Sequence, residues 1–162
     1  MIALRLSVLA AGVCVTTVLF APSAPVAAAS AATSGHVLTA PPTNRYTEVC
    51  QACHQADGAG LEGAFPPLAG SEWLTGRAVV PIAIVLHGVQ GPITVKGKEY
   101  NSAMTPWASM LNDEDLAATL TYARSQWGNR AAPVTAAQVR AVRARFTART
   151  TPWTAAELKA IK

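Results

Sequence analysis

Two cysteines and a histidine occur close together in the order Cys50-Gln51-Ala52-Cys53-His54. On a helical turn, residues three and four positions apart share a face, so these three side chains project to one side. Two thiols at this spacing can each bond one vinyl group of a haem, and the adjacent imidazole can then bind the iron. The motif therefore predicts a covalently bound haem c, and it requires the chain to fold around that group.

Two other uses of a Cys-x-x-Cys pair fit this sequence less well. A structural zinc site needs four protein ligands, commonly from two such pairs, and the only further cysteine is Cys14, inside the apolar N-terminus. A thioredoxin-like redox pair belongs to an alternating β/α pattern, which does not surround this motif. A redox dithiol and a zinc site are thus the minor alternatives.

The first residues have the composition of an export signal. Arg5 is followed by an almost uninterrupted apolar run from Leu6 to Phe20, and Ala27-Ala28-Ala29 is a candidate cleavage site. We predict a signal peptide over residues 1–29, with the cut between 24 and 32, and a flexible leader over residues 30–42. Because the apolar run is shorter than the ~20 residues of a spanning helix, a retained membrane anchor is the less favoured alternative. The sequence predicts an exported, periplasmic protein without a transmembrane span in its mature form.

Charge is divided unevenly over the rest of the chain. Residues 30–129 carry five basic and eight acidic side chains, whereas residues 130–162 carry seven basic side chains and one acidic side chain. The basic residues are not interleaved with base-stacking aromatics, so nucleic acid is not an expected partner. We predict that residues 130–162 form a basic helical extension, which is either a solvated helix face or a docking segment. Arg140, Arg143 and Arg149 are its candidate contacts, to an acidic partner or to the protein's own acidic core.

Hydrophobic periodicity and capping residues predict a mostly helical domain over residues 43–129. The predicted elements are a helix that starts after Thr43 or Asn44 and runs into the cysteine motif, a short helix after Ser71, an apolar helix over Val79 to Leu86, a loop or hairpin over Ile93 to Tyr100, and an amphipathic helix from Asn112 or Asp113 to Trp127. Thr135 with Gln138, and Thr154 with Glu157, are capping-box patterns that predict two further helices in the extension.

Haem iron in an electron carrier needs a second axial side chain, and Met104, Met110, His36 and His87 are the candidates. Met104 is favoured because it lies in a loop before Pro106-Trp107, and a loop can present a thioether to the iron from the side. Met110 directly precedes a helix cap, where a methionine is more often core filling. His87 ends an apolar helix and His36 lies in the leader. We expect Met104 to be the ligand, with Met110 and His87 as alternatives.

The order of these motifs resembles that of a class I c-type cytochrome. Cys50-x-x-Cys53-His54 is followed by Phe65-Pro66-Pro67-Leu68-Ala69-Gly70, then by Met104 with Trp107, and then by Asp113-Glu114-Asp115-Leu116 leading into Thr121-Tyr122-Ala123-Arg124. More narrowly, residues 44–129 are similar to monohaem domains in cytochrome subunits of bacterial periplasmic and membrane-bound dehydrogenases. The resemblance implies an all-α fold, a small cytochrome c-like helical domain around one covalent haem, whose first and last helices cross.

The resemblance also implies roles for single residues. Pro66 matches the position whose backbone carbonyl accepts a hydrogen bond from the proximal histidine, here His54. The expected walls of the haem or of the helix crossing are Tyr46, Leu68, Ile84, Leu86, Leu116 and Leu120.

Ligation by histidine and methionine leaves the iron without an open coordination site, which favours electron transfer over oxygen or peroxide chemistry. The expected function is therefore single-electron transfer between a dehydrogenase or respiratory complex and a downstream acceptor, without catalysis of its own. The expected partners are redox proteins: a dehydrogenase, an oxidase or another cytochrome. A small peroxidase-like haem enzyme and a haem-based sensor are the alternatives.

Overall fold

The computed structural model describes residues 42–162, so the predicted signal peptide, nearly all of the predicted leader and His36 lie outside the described residues. The described chain is mostly helical with one small hairpin, and it confirms the all-α prediction. Its elements are α1 (Tyr46–Val49), α2 (Gln51–His54), α3 (Glu72–Thr75), α4 (Val79–His87), β1 (Ile93–Val95), β2 (Lys98–Tyr100), α5 (Asp113–Ser125), α6 (Ala136–Arg145) and α7 (Ala155–Ala160). Over residues 42–162, no helix has the length and hydrophobicity needed to cross a membrane.

The predicted first helix is divided into α1 and α2 at Cys50. Its backbone hydrogen bonds nevertheless continue across the division. Cys50 N–H donates to the carbonyl of Tyr46, and His54 N–H donates to the carbonyl of Cys50, each at a distance of 2.9 Å. The side chain of Asn44 accepts a hydrogen bond from Tyr46 N–H, but the N-cap position falls one residue later, at Arg45. Gln55 ends α2 with a positive φ of 63°. The two short helices therefore place both cysteines and His54 along one continuous helical path.

Helix α5 begins as predicted and ends earlier than predicted. Asn112 caps it by accepting a hydrogen bond from Asp115 N–H at 2.7 Å, and three acidic residues in its first turn complement the positive end of the helix dipole. The apolar stripe was expected to extend to Trp127, but the helix stops at Ser125 and Trp127 has a φ of +54°. The reason is tertiary: the Trp127 indole N–H donates to the carbonyl of Ala56 at 3.0 Å.

Helices α1 and α5, the first and last of the predicted domain, contact each other through aromatic rings. The ring centroid of Tyr46 lies 5.5 Å from that of Tyr122 and 5.0 Å from that of Trp127. Tyr46 is fully buried, and its hydroxyl donates to the carbonyl of Gln55 at 2.7 Å. This cluster fixes α5 against the helical segment that carries the cysteine motif.

The hairpin over residues 93–100 is confirmed. Its antiparallel register pairs Ile93 with Tyr100 and Val95 with Lys98, which leaves Lys96 and Gly97 as a two-residue turn. Both turn residues have positive φ, 50° and 77°, as a type I′ turn requires. Ile93, Val95 and Tyr100 are buried, so the hairpin presents one apolar face to the interior.

The extension folds onto the rest of the described chain. Its two predicted helices are confirmed, each with a complete capping box, and Val139 and Leu158 are fully buried. Arg143 donates to Asp113 at 2.9 Å and also to the carbonyls of Ala108 and Leu111. Arg140 lies 3.4 Å from Asp113.

The third candidate contact, Arg149, also pairs within the molecule, because it donates to Glu157 at 2.9 Å. The three candidate docking arginines are therefore engaged by the protein's own carboxylates. Arg140 and Arg143 contact the protein's own acidic core at Asp113, whereas Arg149 pairs within the extension.

Candidate haem site

A cavity of about 240 Å³ lies between the helices, the hairpin and the loops that connect them. Side chains of α1 to α5 and of both strands line it, together with residues 65–68, 102–105 and Trp107. Most of its wall is apolar. Cys50, Cys53, His54, Pro66 and Met104 all lie on this wall, so residues that are up to 54 positions apart in sequence meet in one place.

His54 ends α2 and is only 8% exposed. Its Nδ1 lies 2.9 Å from the carbonyl oxygen of Pro66. A carbonyl only accepts hydrogen bonds, so Nδ1 carries the proton and Nε2 keeps its lone pair. Burial lowers the pKa of His54, and the hydrogen bond to Pro66 opposes that shift in part. The ring is thus oriented, and its neutral form is favoured, which is the form that binds a metal.

Met104 shares the cavity wall with His54, and the other described candidates for the second ligand do not. Met110 is 57% exposed and lies outside the cavity, beside the start of α5. The ring of His87 packs edge-on against Phe146 and Trp153, with centroids 6.4 and 6.2 Å away. The thioether of Met104 is therefore the candidate that the fold brings to the same cavity as the imidazole.

Both cysteines lie on the cavity wall, Cys50 half-buried and Cys53 exposed, and no disulfide joins them. Burial, with a smaller effect of Cys53, raises the pKa of Cys50 to about 11. Reactive redox cysteines have lowered thiol pKa values, so the surroundings of Cys50 do not match a redox dithiol. The described residues 42–162 also contain no group of three His, Cys, Asp or Glu side chains that could hold a metal ion such as zinc.

These observations fit a haem c. Two thiols, an oriented neutral imidazole and a thioether surround one apolar cavity, and a porphyrin needs that donor set and that wall. Comparison with known families agrees, since the family model described as "Cytochrome c" matches residues 44–127. This chain belongs to the cytochrome c family. Its cofactor is therefore a covalently bound haem c, and the protein is an electron-transfer cytochrome.

Several curated relatives of this cytochrome are known. It is 42% identical over 106 residues to cytochrome c-552 of Thermus thermophilus, an alignment that covers 59% of this chain and 79% of the relative. It is 31% identical over 112 residues to the cytochrome c subunit of a quinone alcohol dehydrogenase of Gluconacetobacter polyoxogenes, over 68% of this chain and 24% of that subunit. The gluconate 2-dehydrogenase cytochrome c subunit of Pantoea cypripedii is 36% identical over 104 residues, 60% of this chain and 23% of the subunit. The chain spans about a quarter of each dehydrogenase subunit.

One expected wall residue of the cytochrome faces elsewhere. Tyr46, Leu68, Ile84, Leu116 and Leu120 line the haem cavity as expected, and Leu86 does not. Ile84 and Leu86 are two positions apart on α4, so they point about 200° apart around the helix. Leu86 is buried beside a second cavity that His87 and Arg143 also line.

A glycine and an asparagine hold the loop that carries Pro66. Gly60 has a φ of +69°, its N–H donates to the carbonyl of His54, and a Cβ there would lie 2.4 Å from the carbonyl oxygen of Phe65. Only glycine permits this approach. Gly60 therefore lets the backbone of residues 65 and 66 pack directly against the segment that follows His54.

Asn129 fixes the other end of that loop and is 6% exposed. Its Oδ1 accepts from Gly70 N–H at 2.8 Å, and its Nδ2 donates to the carbonyls of Leu68 and Ala123 at 3.1 and 2.9 Å. The side chain thus ties the loop to the C-terminal end of α5. A polar residue after Gly128 gave no signal of this role, because polar residues are ordinary where a helix ends.

Proposed function

We propose that this cytochrome is a periplasmic monohaem electron carrier that passes single electrons between a dehydrogenase or respiratory complex and a downstream acceptor. Cys50 and Cys53 would hold the haem covalently, and His54 and Met104 would coordinate its iron. When bound, the iron supplies the one-electron chemistry by alternating between its ferric and ferrous states. The observation that carries the proposal is that His54 and Met104 line the same apolar cavity.

The protein's own groups account for a carrier rather than an enzyme. Pro66 fixes the imidazole ring of His54 through the 2.9 Å contact at Nδ1 and raises its basicity as a ligand. Met104 would take the coordination position that a peroxidase keeps open for its substrate, and this would exclude small molecules from the iron. The apolar walls disfavour the additional positive charge of the oxidised state, which raises the reduction potential together with the thioether.

The relatives support the choice of partner class. A dehydrogenase supplies electrons to its own cytochrome subunit, and two of the relatives carry dehydrogenase names. We propose a donor of that class for this chain. Co-purification with a tagged form of the native protein tests it, and the expected result is a dehydrogenase that reduces the cytochrome when its substrate is added. Recovery of the haem-bound protein without a dehydrogenase would contradict the partner class, and recovery from the cytoplasm would contradict the location.

The ligand assignment is tested by absorption spectroscopy of the oxidised haem-bound protein. The wild type should be low-spin and show the weak methionine–iron band, and Met104→Ala should lose that band. Met110→Ala is the matched control, because Met110 lies outside the cavity and should keep it. Loss of the band in Met110→Ala alone would refute the assignment. A high-spin wild type that binds cyanide or carbon monoxide at once would refute the carrier function.

A further inference from the structure

The backbone of Met104 is paired with a segment that the C-terminal extension holds from its other side. Met104 N–H donates to the carbonyl of Val89 at 2.8 Å, and Val89 N–H donates back to the carbonyl of Met104 at 3.2 Å. On the opposite edge, Gln90 N–H donates to the carbonyl of Trp153 at 2.8 Å, and Trp153 N–H donates to the carbonyl of Gly88 at 3.0 Å. Residues 88–90 are thus the middle of a three-segment ladder that joins Met104 to Trp153.

The ladder is tight at Gly88. This residue has a φ of +76°, and a Cβ at this position would lie 2.4 Å from the carbonyl oxygen of Met104. Glycine is the residue that allows this conformation and this approach without strain. The Met104 segment therefore has little room to shift unless residues 88–90 shift with it.

Trp153 is firmly held. It is 5% exposed, its ring centroid lies 4.9 Å from that of Phe146, and the guanidinium of Arg149 lies 3.5 Å from the ring centroid. Arg149 also donates to the carbonyls of Thr151 and Pro152 at 2.8 Å. The hydrogen bonds of Arg149 therefore close residues 149–153 into a loop, and the indole of Trp153 under the guanidinium is its rigid part.

We infer that Trp153 is a positioning residue for Met104, and that the extension braces the sixth-ligand segment through residues 88–90. The inference rests on the proposed ligand role of Met104. To leave the iron, the Met104 segment must break its two hydrogen bonds to Val89 or move residues 88–90 as well. Trp153 restrains the second route, so it lowers the population of the form in which an external ligand can replace the thioether.

The test is a titration of the oxidised, haem-bound full-length protein with imidazole, followed by loss of the methionine–iron band. Apparent affinity for imidazole is reduced by the small fraction of protein whose sixth position is open. Trp153→Ala should therefore raise that affinity by at least about tenfold. Val139→Ala is the control, because Val139 is a fully buried residue of the same extension and takes no part in the ladder. It should change the affinity by less than about twofold.

A second pair of variants covers the case in which Trp153→Ala does not fold. Arg149→Ala removes the cation from the indole and should raise imidazole affinity severalfold. Arg140→Ala removes the same charge from an exposed position of α6, and the imidazole affinity should stay unchanged. If the two variants of each pair had the same imidazole affinity, the positioning role of Trp153 would be refuted and the ligand role of Met104 would stand. Retention of the band in Met104→Ala would overturn the ligand assignment, and the brace with it.

Discussion

Asn129→Ala should destabilise this cytochrome far more than its position in a loop suggests. The substitution removes one acceptor and two donors, and it leaves Gly70 N–H and the carbonyl of Ala123 without this partner. The carbonyl of Leu68 also loses a hydrogen bond, but it keeps the one from Ser71 N–H at 3.2 Å. A buried polar group that loses its partner costs about 1–3 kcal/mol. Water can reach part of the site once the side chain is shortened, so we expect a total loss of about 2–4 kcal/mol rather than the sum of two full penalties and a lost hydrogen bond.

Urea denaturation of the haem-bound protein, followed by far-UV circular dichroism, measures this loss. The midpoint should fall with the slope unchanged, because the folded and unfolded surfaces are nearly the same in both proteins. The melting temperature should fall by about 8–15 °C. Asn101→Ala is the matched control, since it makes the same chemical change at an exposed position. Surface substitutions usually change stability by less than about 0.5 kcal/mol. A loss below about 1 kcal/mol in Asn129→Ala, or a loss equal to that of the control, would refute the role given to Asn129.

Two further predictions concern the loop and the extension. Gly60→Ala should lower the free energy of unfolding by about 2 kcal/mol or more, because the new Cβ would meet the carbonyl oxygen of Phe65 in a backbone conformation that suits glycine. Gly63→Ala is the control, because Gly63 has the same kind of backbone conformation and a Cβ there would meet nothing. Comparing the denaturation of the two variants separates the cost of the contact from the cost of the conformation. Hydrogen bonds from the backbone and hydroxyl of Thr154, then the contact with Arg149, lower the pKa of Glu157. A lowered carboxyl pKa gives stability that is present above the unfolded value and lost as pH falls through the folded one. Between neutral pH and acid, Glu157→Gln should therefore lose less stability than the wild type, and an identical pH profile would contradict this.

Local sequence was enough to predict most elements of the fold. The capping residues Asn112, Thr135 and Thr154 accept the hydrogen bonds expected of them, because a cap acts within three residues of its own position. The turn at Lys96-Gly97 is equally local. The spacing of Cys50, Cys53 and His54 needs only one helical path, so the haem-binding motif could be read before any tertiary contact was known.

The tertiary structure decided the features that depend on distant partners. The sequence placed Met104, Met110 and His87 in one set of candidates, and only the fold shows that Met104 shares a cavity with His54. The early end of α5 follows from the bond between Trp127 and Ala56, 71 residues apart along the chain. Helix periodicity contains no information about such a partner.

The same division holds for the basic extension. Its charge and its helices were determined by sequence. Its contact surface was not, because Arg140 and Arg143 pair with carboxylates that lie 26 and 30 residues away along the chain. Asn129 and Trp153 gave no sequence signal, since each acts through backbone groups of other segments. The sequence by itself determined which cofactor this protein binds and which helices it forms. Only the tertiary structure decided how the loops around that cofactor are held, because backbone hydrogen bonds between distant segments leave almost no mark on the identity of the residues that make them.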